Sequence, residues 1–166
     1  MDDDLRVRIT GSLARRHSTA TVLFHHAIAE RLGLGPTDHK CLDLLVERGT
    51  LTGAELAALT GLTSGAITGV VARLEKAGYL RREPDPQDGR RQLLRPVPER
   101  MAEVGEVFAG LQSDAAVLVA GFDTAQLEAI AEFLARATRF ARERSELMRA
   151  QARSGRTRAS DPNPQE

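Results

Sequence analysis

The sequence predicts a mainly α-helical protein with one β-hairpin, on three observations. Ala, Leu, Glu and Arg, which favour helices, are abundant among its 166 residues, while aromatic residues make up 4%. Apolar residues recur at spacings of three and four over most of the chain. Residues 79–95 replace that period with two short extended runs around a turn-forming segment. With 42% hydrophobic residues, the chain is long enough to bury one good core.

A long first helix is predicted over residues 5–32. Its apolar residues that share one side are Ile9, Leu13, Ala20, Phe24, Ala27 and Ile28. Glycine and proline at positions 33–36 end it. A second helix follows Pro36, and its apolar residues predict a buried helix: Cys41, Leu42, Leu44, Leu45 and Val46. Arg48 and Gly49 close it with a cation near the last carbonyls and a glycine just beyond them.

Two short helices joined by a glycine turn are predicted next. Thr52 and Glu55 have the spacing of a capping box, in which each side chain binds a free backbone amide at the start of a helix. Gly61 can take the positive φ that lets the chain turn sharply. Thr63 then caps a helix that ends at Gly78, and its buried side is predicted to carry Ile67, Val70, Val71 and Leu74.

A β-hairpin with a long tip follows this pair of helices. The predicted strands are residues 79–82 and 92–95, and the segment between them, 84–89, consists of turn-forming residues. Pro96 and Pro98 stop the second strand and start another helix. The hairpin is basic, because it carries Arg81, Arg82, Arg90, Arg91 and Arg95.

Two long helices complete the pattern, and each has an apolar seam. The first seam is Met101, Val104, Phe108, Leu111, Ala115 and Leu118, and the second is Leu127, Ile130, Leu134, Ala137 and Ala141. Asp123 is placed to cap the second helix. The seams predict either contact with a second copy of the chain or an intramolecular helical hairpin. Beyond about residue 151 the Arg, Ser, Gly, Pro and Asn content predicts a disordered tail.

Composition excludes several classes of protein. The net charge is zero, but residues 73–100 and 136–158 are basic while residues 102–135 carry acidic and no basic residues. No apolar stretch is long enough to span a membrane, and the acidic start is unlike a secretory signal, so we expect a cytoplasmic protein that binds no membrane. The single cysteine, Cys41, excludes an internal disulfide and a cysteine-based zinc site.

Residues 51–95 have the order of elements that defines a winged helix-turn-helix. This order is a capped helix, a glycine turn, a second helix and a basic hairpin. This order predicts a three-helix core with a hairpin wing that binds double-stranded DNA. The same region resembles the MarR family of bacterial regulators. The residues that carry the resemblance are Thr52, Glu55, Leu56 and Ala57, the run 61–80, and Arg82, Asp85, Pro86, Asp88, Gly89, Arg90 and Arg91.

The helix over residues 63–77 is expected to lie in the major groove, with Ser64, Gly65 and Thr68 nearest the bases and Arg73 nearest phosphate. The resemblance implies that Arg90 enters the minor groove and that Asp88 holds the wing in shape. Many relatives carry arginine where this chain has Gly69, so wing arginines and phosphate contacts are expected to supply more of the affinity. The complete predicted contact set is Thr63, Ser64, Gly65, Thr68, Gly69, Arg73, Arg82, Asp88, Arg90 and Arg91.

The resemblance also implies a homodimer in which the first and the last two helices interleave with those of the partner. The expected segments are an N-terminal dimerisation helix (1–35), the DNA-binding domain (36–97), C-terminal dimerisation helices (98–150) and the tail (151–166). A twofold dimer predicts a pseudo-palindromic operator with half-sites about one helical turn apart. The expected interface residues are Leu13, Val104, Phe108, Leu111, Leu118, Leu127, Ile130 and Leu134.

Members of the family commonly bind small, often aromatic ligands between the DNA-binding lobe and the dimer helices. The resemblance therefore implies a repressor that a small molecule releases from DNA. The candidate ligand contacts on the first two helices are Phe24, His25, His39 and Cys41. His26 lies about 100° from its neighbour around the helix and cannot face the same cleft.

Two alternatives to this function stay open. Cys41 could make the chain a redox-responsive regulator, although its apolar helix predicts a buried, unreactive thiol. The second alternative is a winged helix that contacts only other proteins, and the five wing arginines disfavour it. The sequence has no nucleophile elbow, phosphate-binding glycine loop or His-x-x-x-His spacing, so we expect no enzyme, no cofactor and no metal site.

Overall fold

The computed structural model describes residues 2–159, with side chains for all of these except 107, 112 and 153–159. The chain divides into two compact units, Met1–Phe108 and Ala109–Glu166. Its elements in order are α1 (Asp2–Arg8), a π-helical segment (Ile9–Leu13), α2 (Ala14–Arg31), α3 (Pro36–Arg48), β1 (Leu51–Thr52), α4 (Gly53–Thr60), α5 (Ser64–Lys76), β2 (Leu80–Pro84), β3 (Gln92–Pro96), α6 (Pro98–Ala116), a 3₁₀ turn (Val117–Val119) and α7 (Thr124–Ala159).

The predicted first helix is confirmed as α1, the π-helical segment and α2, which follow one another without a break. It begins earlier than predicted, because three aspartates in its first turn favour the positive end of the helix dipole. The buried residues of α2 are Ile28 and Ala29. Most of the apolar side predicted for this helix is uncovered in the protomer, as Leu13 and Phe24 show with 41% and 47% exposure.

The helix-turn-helix is confirmed with the predicted caps. The Thr52 hydroxyl accepts the Glu55 amide at 3.2 Å, and the Glu55 carboxylate accepts the Thr52 amide at 2.7 Å. Gly61 ends α4 with a φ of +75°, in the left-handed region that a Cβ would strain. The chain bends by 113° between α4 and α5, a typical angle for this motif.

The wing is a three-stranded antiparallel sheet in the order β1, β3, β2. The predicted hairpin is confirmed, with Arg82 opposite Leu94 in the β2–β3 pair. Strand β1 was not predicted, because two residues carry no readable period; Leu51 also lies opposite Leu94, from the other side of β3. The extra strand pairs with β3 and thereby connects the start of α4 to the wing.

The core of the first unit lies between α3, α4, α5 and the sheet. Tyr79 adds a fixed contact with the end of α2, because its buried hydroxyl donates to the Leu32 carbonyl at 2.9 Å. Met101 and Val104 of α6 pack against the same core. The buried side chains are Leu34, Cys41, Leu42, Leu45, Leu51, Leu56, Ile67, Val70, Val71, Leu74, Tyr79, Leu80 and Leu94.

In the second unit, Asp123 caps α7 as predicted. Its carboxylate accepts the Gln126 amide at 2.9 Å, and the Gln126 side chain accepts the Asp123 amide at 2.9 Å. Residues 151–159, predicted as part of the tail, instead continue α7, because alanine, glutamine and arginine favour helix and one glycine does not end it. The rest of the predicted tail, 160–166, lies outside the described residues.

No single helix within residues 2–159 is long and apolar enough to cross a membrane. Helices α4 and α5 reach that length and composition only together, across their 113° bend.

Candidate nucleic-acid interface

The amino end of α5 presents small polar side chains to solvent. Thr63 caps the helix by accepting the Ala66 amide at 3.3 Å, as predicted. Ser64, Gly65 and Thr68 are exposed on the same end, and the Thr68 hydroxyl donates to the Ser64 carbonyl at 2.9 Å. The opposite side of α5 is anchored in the core by Ile67, Val70, Val71 and Leu74. The exposed end can therefore approach another surface closely.

Arg73 has a role that its sequence position did not predict. Its guanidinium donates to both carboxylate oxygens of Asp38, each at 2.7 Å, and thereby joins α5 to α3. Asp38 is buried, whereas 59% of the Arg73 side chain is exposed. The bound carboxylate raises the pKa of Arg73 through the hydrogen bonds and its charge. Arg73 therefore balances a buried charge, and its contact with phosphate stays a prediction.

Gly69 lies beside this ion pair. A Cβ at position 69 would come within 3.3 Å of Arg73 Nη1, so a side chain there would push against the guanidinium. Gly69 is partly buried, unlike its exposed neighbour Thr68. The glycine at this position leaves room for the arginine that holds α5 against α3.

The arginines at the base of the wing are paired with glutamates. Arg82 Nε lies 3.1 Å from Glu75 of α5, and Glu83 binds both Arg81 at 2.7 Å and Arg95 at 2.6 Å. Of the wing arginines predicted to contact DNA, Arg82 is thus paired with Glu75 of α5. Arg81 and Arg95 share the single carboxylate of Glu83, so the wing base keeps a net positive charge.

The wing tip, residues 85–91, is closed by two aspartates. Asp85 Oδ1 accepts the Gln87 amide at 2.9 Å, and Asp88 Oδ1 accepts the Arg90 amide at 3.1 Å, as expected of a residue that shapes the wing. Arg90 is exposed and forms no ion pair with any described residue. Arg91 is also exposed, and its charge adds to the hydrogen bonds with Thr52 that chiefly lower the pKa of Glu55. Among the described residues, the wing arginines without an ion pair, Arg90 and Arg91, are therefore at its tip.

The four predicted ligand contacts do not line one cleft. Cys41 is buried in the core, where burial raises the pKa of its thiol to about 11. Phe24 is half exposed and meets the His25 ring edge-on at 5.9 Å. His25 and His39 do lie together, with ring centroids 5.6 Å apart, beside Asp43.

A pocket of the first unit lies elsewhere, at the end of α2. It has a volume of about 200 Å³ and is lined by Arg31, Leu32, Tyr79, Arg100, Glu103 and Val104. The Arg100 guanidinium stacks over the Tyr79 ring at 4.9 Å and pairs with Glu103. Sequence reasoning missed this pocket, because its residues come from three separate segments. The aromatic Tyr79 just after Gly78 was the available signal.

Most residues predicted for the dimer interface remain accessible in their own unit. In the second unit, exposure is 77% for Leu118, 51% for Leu134 and 38% for Leu127, while Leu111 and Ile130 are half-buried. In the first unit, Phe108 is half-buried and Val104 packs against the core of its own protomer. Val104 thus has an intramolecular contact that the predicted seam did not include.

Comparison with known proteins places these features in context. A sequence model described as the MarR family matches residues 32–91, which span α3, the helix-turn-helix and the wing tip. The chain is 42% identical over 125 residues to the HTH-type transcriptional regulator YcgE of Bacillus subtilis. That match covers 75% of this chain and 81% of YcgE.

Two solved structures share the fold. A MarR family protein from Bacillus stearothermophilus aligns with a TM-score of 0.67 and 21% identity, over 83% of this chain and 96% of that one. BpsR of Bordetella bronchiseptica, whose DNA binding is regulated by 6-hydroxynicotinic acid, aligns with a TM-score of 0.53 and 23% identity. The second alignment covers 77% of this chain and 91% of BpsR.

Proposed function

The chain belongs to the MarR family of transcriptional regulators, and on that premise we propose that it is a homodimeric repressor. It binds pseudo-palindromic duplex DNA in the cytoplasm and is released by a small ligand. The observation that carries the proposal is the pairing of an exposed, small-sided helix end with a wing tip whose Arg90 is unpaired and held in place by Asp88.

Each half of this pair suits one groove of DNA. The amino end of α5 is narrow enough for its backbone to come close to base edges and phosphates in the major groove. The wing tip offers an extended cation of the kind that narrow minor grooves attract. The Arg82–Glu75 pair joins the wing base to α5, which supports the constant spacing that contact with both grooves at once requires.

The dimer is supported by apolar side chains that a single protomer leaves in water. Leu13 and Phe24 on the first helix, and Leu118, Leu134 and Phe140 in the second unit, are all at least 41% exposed. Exposed apolar surface of this extent marks an interaction face. We assign segments 1–35 and 98–150 to dimerisation and residues 36–97 to DNA binding.

The ligand is proposed to occupy the pocket at the end of α2. Its lining offers the guanidinium of Arg31 and the ring of Tyr79, and Arg100 can share its charge between Glu103 and a ligand. This combination suits a small aromatic acid. The ligand named for BpsR, 6-hydroxynicotinic acid, belongs to that class. Binding there would bias DNA affinity because the pocket joins α2, the start of β2 and α6.

DNA binding is tested with the purified chain and fluorescent duplexes from the region upstream of its own gene. We expect saturable binding at least about a thousandfold tighter than to a scrambled duplex of equal length, falling steeply with salt. Footprinting should show two protected half-sites about one helical turn apart. Equal affinity for both duplexes, or no binding at low salt, would contradict the proposal and favour a protein-contact role.

The dimer is tested by sedimentation of Leu134→Glu. Leu134 is half exposed in its protomer, so the charge should leave the protomer folded and disrupt contact with a second copy. The matched control is Ala135→Glu, one position off the seam. A Leu134→Glu protein that stays dimeric would show that the seam lies elsewhere.

A further inference from the structure

Helices α2 and α3 bring two imidazoles and a carboxylate together outside the DNA-binding surface. His39 and Asp43 lie one helical turn apart on α3, and His25 of α2 faces them. His39 Nε2 is 3.6 Å from Asp43 Oδ1, and His25 Nδ1 is 3.9 Å from Asp43 Oδ2. One ligand atom from each residue lies within 4.8 Å of the others.

This cluster leaves polar atoms unsatisfied. The His25 Nδ1 atom, which faces Asp43, is buried and has no hydrogen-bond partner in the described part of the chain. The Nδ1 atom of His39 is also buried without a partner, and it is the ring nitrogen opposite the Nε2 that faces Asp43. A buried polar atom without a partner is costly, so native proteins seldom leave one unless it has a further role. His39 is 2% exposed, which places one of the imidazoles almost fully inside the protein.

We propose that His25, His39 and Asp43 bind a divalent transition-metal cation of the zinc class. Two imidazole nitrogens and one carboxylate oxygen form the donor set that Zn²⁺ takes in three-residue sites, with water completing the coordination. A tetrahedral site places its donors about 3.4 Å apart, so donor atoms that lie within 4.8 Å of one another here would have to approach by at most about 1.4 Å when the ion binds. Mg²⁺ is disfavoured because it prefers oxygen donors.

The protonation state of the cluster suits a cation. Burial is the largest cause that lowers the pKa of both His25 and His39, so both rings are neutral at pH 7 and no proton has to leave before a metal binds. The side chain of Asp43 is 41% exposed and that of His25 is 29% exposed, which gives the ion a route from solvent.

Lys40 competes with a metal ion for the carboxylate of Asp43. Its ammonium group donates to Asp43 Oδ2 at 2.9 Å, and its side chain is 55% exposed, so it can swing into solvent when a cation arrives. Removal of this amine should therefore tighten metal binding. The site reaches beyond the proposed DNA-binding function, and it would join the first helix to α3, which the Asp38–Arg73 pair joins to α5.

The test uses the full chain, stripped of metal with a chelator, and titration of Zn²⁺ against a chromogenic competitor. We expect one equivalent of Zn²⁺ per chain, and Co²⁺ should give the visible absorption of a tetrahedral site with nitrogen and oxygen donors. At a hundredfold excess over Kd, zinc should raise Tm by roughly 5–10 °C. Mg²⁺ should neither displace zinc from the chain nor raise Tm.

Variants decide whether these three residues are the ligands. His25→Ala and Asp43→Asn, both at accessible positions, should weaken Zn²⁺ binding at least about a hundredfold, and Lys40→Met should strengthen it. His26→Ala is the matched control, since that exposed histidine adjoins His25 but is no member of the cluster. Unchanged affinity in the two ligand variants, an equal loss in His26→Ala, or no binding at micromolar Zn²⁺ would overturn the proposal, whatever the result with DNA.

Discussion

The wing tip and the junction of α2, α3 and α5 use charged residues in opposite ways. At the wing tip, Arg90 is exposed and unpaired among the described residues, and aspartates shape the loop through backbone amides. In the helical junction, formed by His25, Asp38, His39, Cys41, Asp43 and Arg73, charges are either paired or suppressed by burial.

The difference distinguishes charges that are free to bind a ligand from charges that are already paired within the fold. A cation in water with no partner loses little on meeting a phosphate, whereas a cation already paired with a carboxylate has to give up that pair or share it. Counting arginines in the sequence therefore overstates the surface available to DNA. The wing base resembles the junction in this respect, because its three arginines are paired with the two carboxylates of Glu75 and Glu83.

Arg90→Ala is expected to have the largest effect. Loss of the free cation should weaken binding to upstream DNA roughly tenfold to a hundredfold without lowering Tm. The matched control is Arg81→Ala, which removes a paired arginine from the wing base and should change affinity less than about threefold. Fluorescence anisotropy measures both. Equal losses of DNA affinity in the two variants would show that arginines of the tip and of the base contribute alike.

The thiol of Cys41 should be nearly inert in the folded protein. Burial raises its pKa from 9.0 to about 11, so the reactive thiolate at pH 8 is about a hundredfold scarcer than for an unperturbed thiol. Reaction with a disulfide reagent should be correspondingly slow, and fast once guanidinium unfolds the chain. Equal rates in both states would revive the redox-responsive alternative.

Asp38→Ala should destabilise the junction. The change removes two charged hydrogen bonds to Arg73 and should lower Tm by roughly 5 °C. DNA affinity should fall as well, because α5 loses its anchor on α3. Asp114→Ala, at an exposed position, is the control and should leave Tm within about one degree. An unchanged Tm for Asp38→Ala would show that the pair does not hold the helices.

Acid should weaken the fold through the junction histidines. The folded state lowers the pKa of His25 and His39 below 6.5, so the unfolded chain binds more protons as the pH falls below that value. Unfolding free energy, measured with urea, should therefore decline from pH 6.5 downward, in metal-free buffer. His39→Gln should make this decline shallower. A decline unaffected by that variant would assign the acid sensitivity to other groups.

Local sequence was sufficient for the elements that hold the DNA-facing surface. The capping box at Thr52, the cap at Thr63 and the left-handed Gly61 depend on residues no more than a few positions apart. Backbone geometry and short hydrogen bonds determine such features, so one sequence shows them without knowledge of the fold.

Tertiary structure alone decided which charges are free and which atoms lie together. Asp38 and Arg73 are 35 positions apart, β1 exists only because β3 lies beside it, and His25 meets Asp43 only when α2 packs on α3. Helical and strand periods give the face on which a residue lies, but not its partner across the interface. For that physical reason the sequence determined the helix caps and turns of the helix-turn-helix and wing. The packing determined the Asp38–Arg73 pair that holds α5 on α3, and the proposed cation site.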